Sequence, residues 1–283
     1  LTIVVLYFSL INDFDDVVQE LRSANIWWLL IAVISVLGYY FLSSVSMHLI
    51  IKKYNKDYTL WQTVKLKFKT KFFDTITPTS TGGQPYQVYS LTSSGISVLD
   101  STNICLQSFV VFQVALVLMG IIAVCANNVL HLFIANEGLK ILVLIGFLIN
   151  TGIAVFLFLV SFTTKFNNFI YRKVINIAVK LHLVKDVEKT NKMYEEYVKN
   201  VKAGTTSLLK NKKEFLLIIL LNFVGLCLEY IVPLFVLYSI GDYTSFGAFK
   251  CIIASAYVLL MGSFIPLPGG TGGLEYGVVS FFG

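Results

Sequence analysis

Charge is scarce in this sequence. Only 13% of its 283 residues are Asp, Glu, Lys or Arg, against roughly 25% in an ordinary soluble domain. With 56% hydrophobic residues beside that shortage, a water-soluble globule is excluded and an integral membrane protein is indicated. Cysteine is sparse as well. Cys105, Cys125, Cys227 and Cys251 are scattered through apolar segments with no C-x-x-C pair, and His48, His131 and His182 stand far apart. No disulfide framework or zinc site is indicated, and the cysteines read as small core hydrophobes. A P-loop, a G-x-S-x-G elbow and an H-E-x-x-H helix are all lacking, so no catalytic residue, metal ligand or cofactor is expected. Gly270-Thr271-Gly272 approaches a dinucleotide fingerprint, but Glu275 stands where its third glycine belongs.

What the chain does have is long uncharged runs. Ile26–Ile51 and residues 141–164 carry no formal charge, and about 20 apolar residues are enough to cross a bilayer. Residues 103–126, 215–240 and 251–265 are further candidates, the last short unless it begins near Phe246. Residues 1–11 read as the tail of a cut helix. The expectation is an all-α, polytopic membrane helix bundle with about six spans. It reads as a single transmembrane domain, 1–283, truncated at both ends; a signal peptide is not supported.

The net charge of +6 is an orientation signal before it is a sign of anionic partners, and nucleic acid is not an expected partner. Residues 12–25 hold four acids and one Arg, residues 52–74 seven Lys and two Asp, and residues 165–214 twelve basic residues and five acids. The last two connections are cytoplasmic by the positive-inside rule, and 127–138 and 241–245 fall outside. Within 165–213, Phe166, Phe169, Ile170, Val174, Ile177 and Leu181 recur at helical spacing. Val187, Tyr194, Val198, Val201, Thr205 and Leu208 do so again after a break near Lys185. These are two amphipathic cytoplasmic helices, either lying on the anionic inner leaflet or forming an ordinary surface pair with solvated lysines. The run 64–72 alternates like a strand, yet Trp61, Val64, Phe68 and Phe72 share a helix face, and a membrane setting favours the helix. Its four lysines either attract anionic headgroups, at about 1 kcal/mol each, or act only as a positive-inside anchor.

One phrase occurs twice. Pro78-Thr79-Ser80-Thr81-Gly82-Gly83-Gln84-Pro85-Tyr86-Gln87-Val88-Tyr89-Ser90 and Pro268-Gly269-Gly270-Thr271-Gly272-Gly273-Leu274-Glu275-Tyr276-Gly277-Val278-Val279-Ser280 both read P-x-x-T-G-G-x-x-Y-x-V-x-S. Proline removes a donor and stops a helix, while glycine permits sharp turns and close approach. Broken backbone at membrane depth is tolerated only inside protein or along a polar cavity, and paired breaks point to a transporter-like site. Two re-entrant or broken segments forming an internal repeat are therefore expected. Helix starts at Tyr86 and Tyr276 would aim backbone N–H groups at an anion such as a lipid phosphate. The plainer reading is a pair of tight packing spots. Whether the repeat is parallel or inverted depends on the number of crossings between the motifs.

Thr77-Pro78-Thr79-Ser80-Thr81-Gly82-Gly83-Gln84-Pro85, then Gly95-Ile96-Ser97, then Pro266-Leu267-Pro268-Gly269-Gly270-Thr271-Gly272-Gly273-Leu274-Glu275 resemble the lysylphosphatidylglycerol synthase transmembrane family. This is the flippase-like region of the multiple peptide resistance factor, and it also occurs as stand-alone membrane proteins. The resemblance implies a multi-pass domain of the bacterial cytoplasmic membrane, linked to antibiotic resistance. It would translocate aminoacylated phosphatidylglycerol, such as lysylphosphatidylglycerol, or a related phospholipid. Where relatives place a basic residue after the first Gly-Gly, this chain has Gln87, Val88 and Tyr89, which leaves backbone amides and Gln84 as donors.

The headgroup-binding residues implied are Pro78, Thr81, Gly82, Gly83, Gln84, Pro85 and Tyr86 with Pro268, Gly269, Gly270, Thr271, Gly272, Gly273, Glu275 and Tyr276. Glu275 either meets a cationic headgroup or caps the motif's amides. Glu229, an intramembrane acid, serves substrate contact or proton coupling, or else a hydrogen bond to a neighbouring helix. Two other readings stay open. The chain is the membrane part of a phosphatidylglycerol lysyltransferase, with a fused or associated aminoacyl-lipid synthase domain, or a scaffold that transports nothing. Self-association into a homo-oligomer is open as well.

Overall fold

The computed structural model describes residues 14–77, 82–133, 137–180, 186–262 and 273–282, and every regular element among them is a helix. Residues 1–11, 78–81, 263–272 and the 181–185 stretch around Lys185 lie outside the described residues. In chain order the helices are α1 (Phe14–Ser23), α2 (Ile26–Ile51), α3 (Leu60–Ile76), α4 (Gly83–Ser93), α5 (Val98–Leu130) and α6 (Glu137–Phe162). They continue as α7 (Thr164–Lys180), α8 (Val187–Lys210), α9 (Lys212–Tyr230), α10 (Val232–Ser239), α11 (Ala248–Gly262) and α12 (Gly273–Phe282).

Polar caps set where the apolar helices begin. The Asn25 side chain accepts from the Trp27 amide at the start of α2, and Thr59 and Gln62 form a reciprocal capping box at the start of α3. Ser97 caps α5, with Asp100 in its first turn, and Asn211 caps α9. Among the described residues the long apolar helices are four: Ile26–Ile51, Val98–Leu130, Gly138–Val160 and the nearly continuous α9–α10 unit, Lys212–Ser239. These four are long enough to cross a bilayer, against the six or so expected. On α6, Ile141, Leu144, Leu148 and Val155 are exposed, as lipid-facing side chains would be.

α2 and α9–α10 pack antiparallel along their whole length. The Asn25 amide donates to the Ser239 carbonyl at 2.7 Å, Asn222 Nδ2 donates to Ser46 Oγ at 2.6 Å, and Lys53 Nζ lies 3.5 Å from Glu214 Oε1. One end of this pair, with Lys52, Lys53, Lys212 and Lys213, is lysine-rich and forms the basic side of the bundle. Between α9 and α10, Pro233 has no N–H to give, and Leu234 donates to Ile231 instead. The Tyr230 carbonyl loses its helical partner and is met by Ser255 Oγ of α11 at 2.7 Å. A broken span is tolerated at depth when a neighbouring helix supplies such a replacement.

Two helical hairpins complete the bundle. α3 starts at the basic side, where Thr63 meets His48 at 3.2 Å, and climbs until Phe68 packs on Tyr40 with ring centroids 5.1 Å apart. α4 then returns: Tyr86 stacks on Phe73 at 4.3 Å, and Thr92 donates to Ser101 at 3.2 Å, back where α5 begins. α11 starts at the opposite side and α12 returns to it. Phe282 lies 4.9 Å from Phe246, and Phe281 lies 5.5 Å from both Phe133 and Tyr257. Three long apolar units, α5, α6 and α9–α10, separate the hairpins, so they insert from opposite sides. The internal repeat is therefore inverted, each half running long helix, short helix, break, short helix. Residues 251–265, expected to cross, contain most of α11, the descending arm of the second hairpin.

The buried core falls into two clusters that mirror the repeat. Leu91, Met47, Ile50, Leu66 and Ile104 belong to one, around α2–α5. Phe281, Tyr257, Leu260, Met119 and Tyr230 belong to the other, around α11 and α12.

Candidate functional site

α3 alternates lysines between two stripes. Lys65 and Lys69 are exposed on its outer surface, with Lys65 5.8 Å from the centre of the Trp61 ring. Lys67 and Lys71, four residues apart, join Thr70 and Asp74 on the inner stripe. A cavity of about 240 Å³ opens there, between α3, α2, α4 and α5. Tyr39, Tyr40 and Ser43 of α2, Gln84 and Gln87 of α4, and Cys105, Ser108, Phe109 and Phe112 of α5 complete its wall. Asp74 and Glu229 are both within electrostatic reach of Lys71, and Glu229 also reaches Tyr39 and Tyr40. Two lysines and two acids thus fall in one region, three of the four on the cavity wall and Glu229 beside it. Neither lysine forms an ion pair within 4 Å among the described residues, and Ser108 Oγ is buried without a hydrogen-bond partner among them. Unpaired polar groups around a concave space mark a place for a ligand with charges of its own.

The expected site residues fall out unevenly. Gln84 lines the cavity, as does Gln87, which is buried. Pro85 is exposed, and Tyr86 is used for packing against Phe73. α4 and α12 begin at Gly83 and Gly273, three residues before the starts expected at Tyr86 and Tyr276, and the amides of Gly82 and Gly83 are occupied. Gly82 N–H donates to Thr77 Oγ1 and Gly83 N–H to Asp74 Oδ1, each at 2.9 Å. Pro78, Thr81, Pro268, Gly269, Gly270, Thr271 and Gly272 lie outside the described residues, and so does the Glu275 side chain. Gly273 opens α12, and Tyr276 on the same helix is 55% exposed.

Glu229 ends one turn before Pro233, beside the break between α9 and α10, with its side chain half-buried. Lys67, Lys71 and Asp74 are functional candidates that lie outside the repeated motif. The lysine run is conspicuous in the sequence, and Lys67, Lys71 and Asp74 share one stripe at i, i+4 and i+7. Lys65 and Lys69 repeat the same spacing, and only packing against α2 and α5 decides which stripe turns inward.

No curated protein and no solved structure matches the chain. The family profile described as the lysylphosphatidylglycerol synthase TM region matches residues 1–283, from end to end. The helical bundle, the paired Gly-Gly hairpins and that full-length match agree: the chain belongs to the lysylphosphatidylglycerol synthase TM family.

Proposed function

We propose that this domain translocates a phospholipid between leaflets, its headgroup passing through the Lys67–Asp74 cavity while the acyl tails stay in lipid. The observation that carries this reading is the mixed charge along the inner face of the first hairpin and beside it. Lys67 and Lys71 form no ion pair among the described residues, with Asp74 on the same wall and Glu229 within electrostatic reach of Lys71. A charged side chain at the centre of a bilayer costs about 2.5–3.5 kcal/mol, so such groups are retained where they meet counter-charges. The lysines suit a phosphodiester, and the two acids suit an ammonium carried by the same headgroup. Lysylphosphatidylglycerol, or a related aminoacylated phospholipid, has both. No covalent step is required.

In this reading the basic side faces the cytoplasm of a bacterial cell, the lipid comes from a fused or associated synthase domain, and delivery outward lowers the negative charge met by cationic antibiotics. The inverted repeat supports alternating access, in which one hairpin opens as the other closes. Reconstitution of the full chain in vesicles with a fluorescent lysyl-lipid tests it, through the fraction of probe that a membrane-impermeant quencher reaches. The parent is expected to equilibrate the leaflets and Lys67→Gln/Lys71→Gln to slow this about tenfold or more. A scaffold would leave the leaflet distribution unchanged in both.

A further inference from the structure

α8 presents two faces of different chemistry. On one, Val201, Gly204, Thr205 and Leu208 are buried. Gly204 is held so closely that a Cβ there would run into the side chains of Asn103, Tyr54 and Gln107. Asn200 extends this seam: its Nδ2 donates to Asp100 Oδ1 at 3.1 Å, and its carbonyl accepts from Asn103 Nδ2 at 3.0 Å. Asn103 and Gln107 both donate to the Tyr54 hydroxyl, at 3.1 and 2.8 Å. α8 is thereby fixed to the first turns of α5, whose Cys105 and Ser108 line the cavity.

The other face carries Lys199, Lys202, Thr206, Ser207 and Lys210 at i, i+3, i+7, i+8 and i+11, around a groove of about 400 Å³. None of the three lysines forms an ion pair among the described residues, and no acid lines the groove. Glu195 and Glu196 precede Lys199 and stay outside it. Its level in the bundle follows from Leu208, which packs in the core cluster with Met47, Ile50 and Ile218 near the basic ends of α2 and α9. Lys212 and Lys213, at the start of the α9–α10 span, continue the positive surface. The groove therefore opens where a bilayer presents its headgroups.

We infer that this face of α8 is a second lipid site, separate from the cavity, for the phosphate of an anionic phospholipid in the leaflet on the basic side. Three ammonium groups and two hydroxyls with no carboxylate among them fit a phosphodiester and give a cationic headgroup no counter-charge. The polar seam then conveys the presence of that lipid to α5, so leaflet charge conditions the wall of the transport cavity.

The test compares spin-labelled phosphatidylglycerol with spin-labelled phosphatidylcholine, each as a minor component of phosphatidylcholine vesicles holding the full chain. The parent is expected to prefer the anionic probe, with the preference weakening as salt rises. Lys199→Gln/Lys202→Gln/Lys210→Gln should reduce it about tenfold or more, while the corresponding triple arginine variant keeps it. An unchanged preference in the glutamine variant overturns the site, as does an equal loss in the arginine variant, which would signal packing rather than charge. Loss only in Lys67→Gln/Lys71→Gln would assign the preference to the cavity and remove the second site. Release of the probe by inorganic phosphate as effective as that by high salt of equal ionic strength keeps the site; markedly stronger release by phosphate would make it a soluble-anion site instead.

Discussion

The Gly83 amide lies 2.9 Å from Asp74 Oδ1, closing the tip of the first hairpin by joining the end of α3 to the start of α4. Beside it the Gly82 amide is held by Thr77. A carboxylate at a helix start satisfies otherwise orphaned donors and meets the positive end of the helix dipole. Asp74→Ala is expected to cost about 1–2 kcal/mol of stability, and Asp74→Asn less, because its amide oxygen still accepts. Thermal unfolding in detergent measures both. An alanine variant as stable as the parent would show that the hairpin tip does not depend on this bond.

Removing one acid should change which headgroup moves. With Glu229→Gln, transfer of a lysyl-lipid is expected to fall about tenfold relative to unmodified phosphatidylglycerol, as the ionisable carboxyl within reach of Tyr39, Tyr40 and Lys71 is lost. Paired vesicle assays with the two lipids read this ratio. Equal losses for both lipids would deny Glu229 a part in choosing the substrate.

Opposite insertion of the hairpins is open to chemical labelling. In a chain whose Cys105, Cys125, Cys227 and Cys251 are replaced, Thr59→Cys should react with an impermeant thiol reagent from one side of sealed vesicles and Ser245→Cys from the other. Both positions are exposed. Reaction of both from the same side would refute the inverted arrangement.

Two glycines on α6 should respond in opposite ways. A Cβ at Gly146 would overlap the Leu260 carbonyl of α11, and backbone cannot step aside, so Gly146→Ala should cost about 1–3 kcal/mol. At Gly152 nothing lies within 4 Å of that Cβ. Gly152→Ala should therefore be neutral or stabilising, by up to about 1 kcal/mol of helix propensity. Melting temperatures in one detergent decide the contrast.

The turn after α10 carries a pH signature. Ser245, through its side chain and amide, and then Thr244 hold the Asp242 carboxyl below the usual range. A depressed native pKa stabilises the turn above the unfolded value, near about 4, and that support fades as pH falls through the lower native value. Protease cleavage at 241–245 should rise only in strongly acidic solution, and Asp242→Asn should remove the dependence. Unaltered acid sensitivity in that variant would refute the assignment.

Much of the bundle is legible in the sequence because lipid-exposed helices must be apolar all along. Ile26–Ile51 is read to the residue. The run expected at 103–126 extends to Val98–Leu130 because Ser97 and Asp100 start the helix just ahead of its charge-free stretch. Residues 251–265 misled for a physical reason: fifteen helical residues such as α11 reach about 22 Å, short of a bilayer core of about 30 Å. The twin motif disclosed the repeat, but its inversion rests on contacts such as Asn25 with Ser239, which no local pattern encodes. The inward stripe of α3 was equally hidden, since Lys65/Lys69 and Lys67/Lys71 have identical spacing and differ only in what packs beside them. Amides counted as vacant donors proved to be taken by Thr77 and Asp74, side chains just outside the repeated phrase.

Pro233 gives the two hairpins a mechanical link. The Tyr230 carbonyl, left free at this break because the Leu234 amide turns to Ile231, is gripped by Ser255, so any displacement of the α11 arm would pull on the backbone next to Glu229. A carboxylate that attends the first hairpin's cavity is thus geared to the second hairpin. Movement admitted from one face of the membrane would retune the charge waiting at the other.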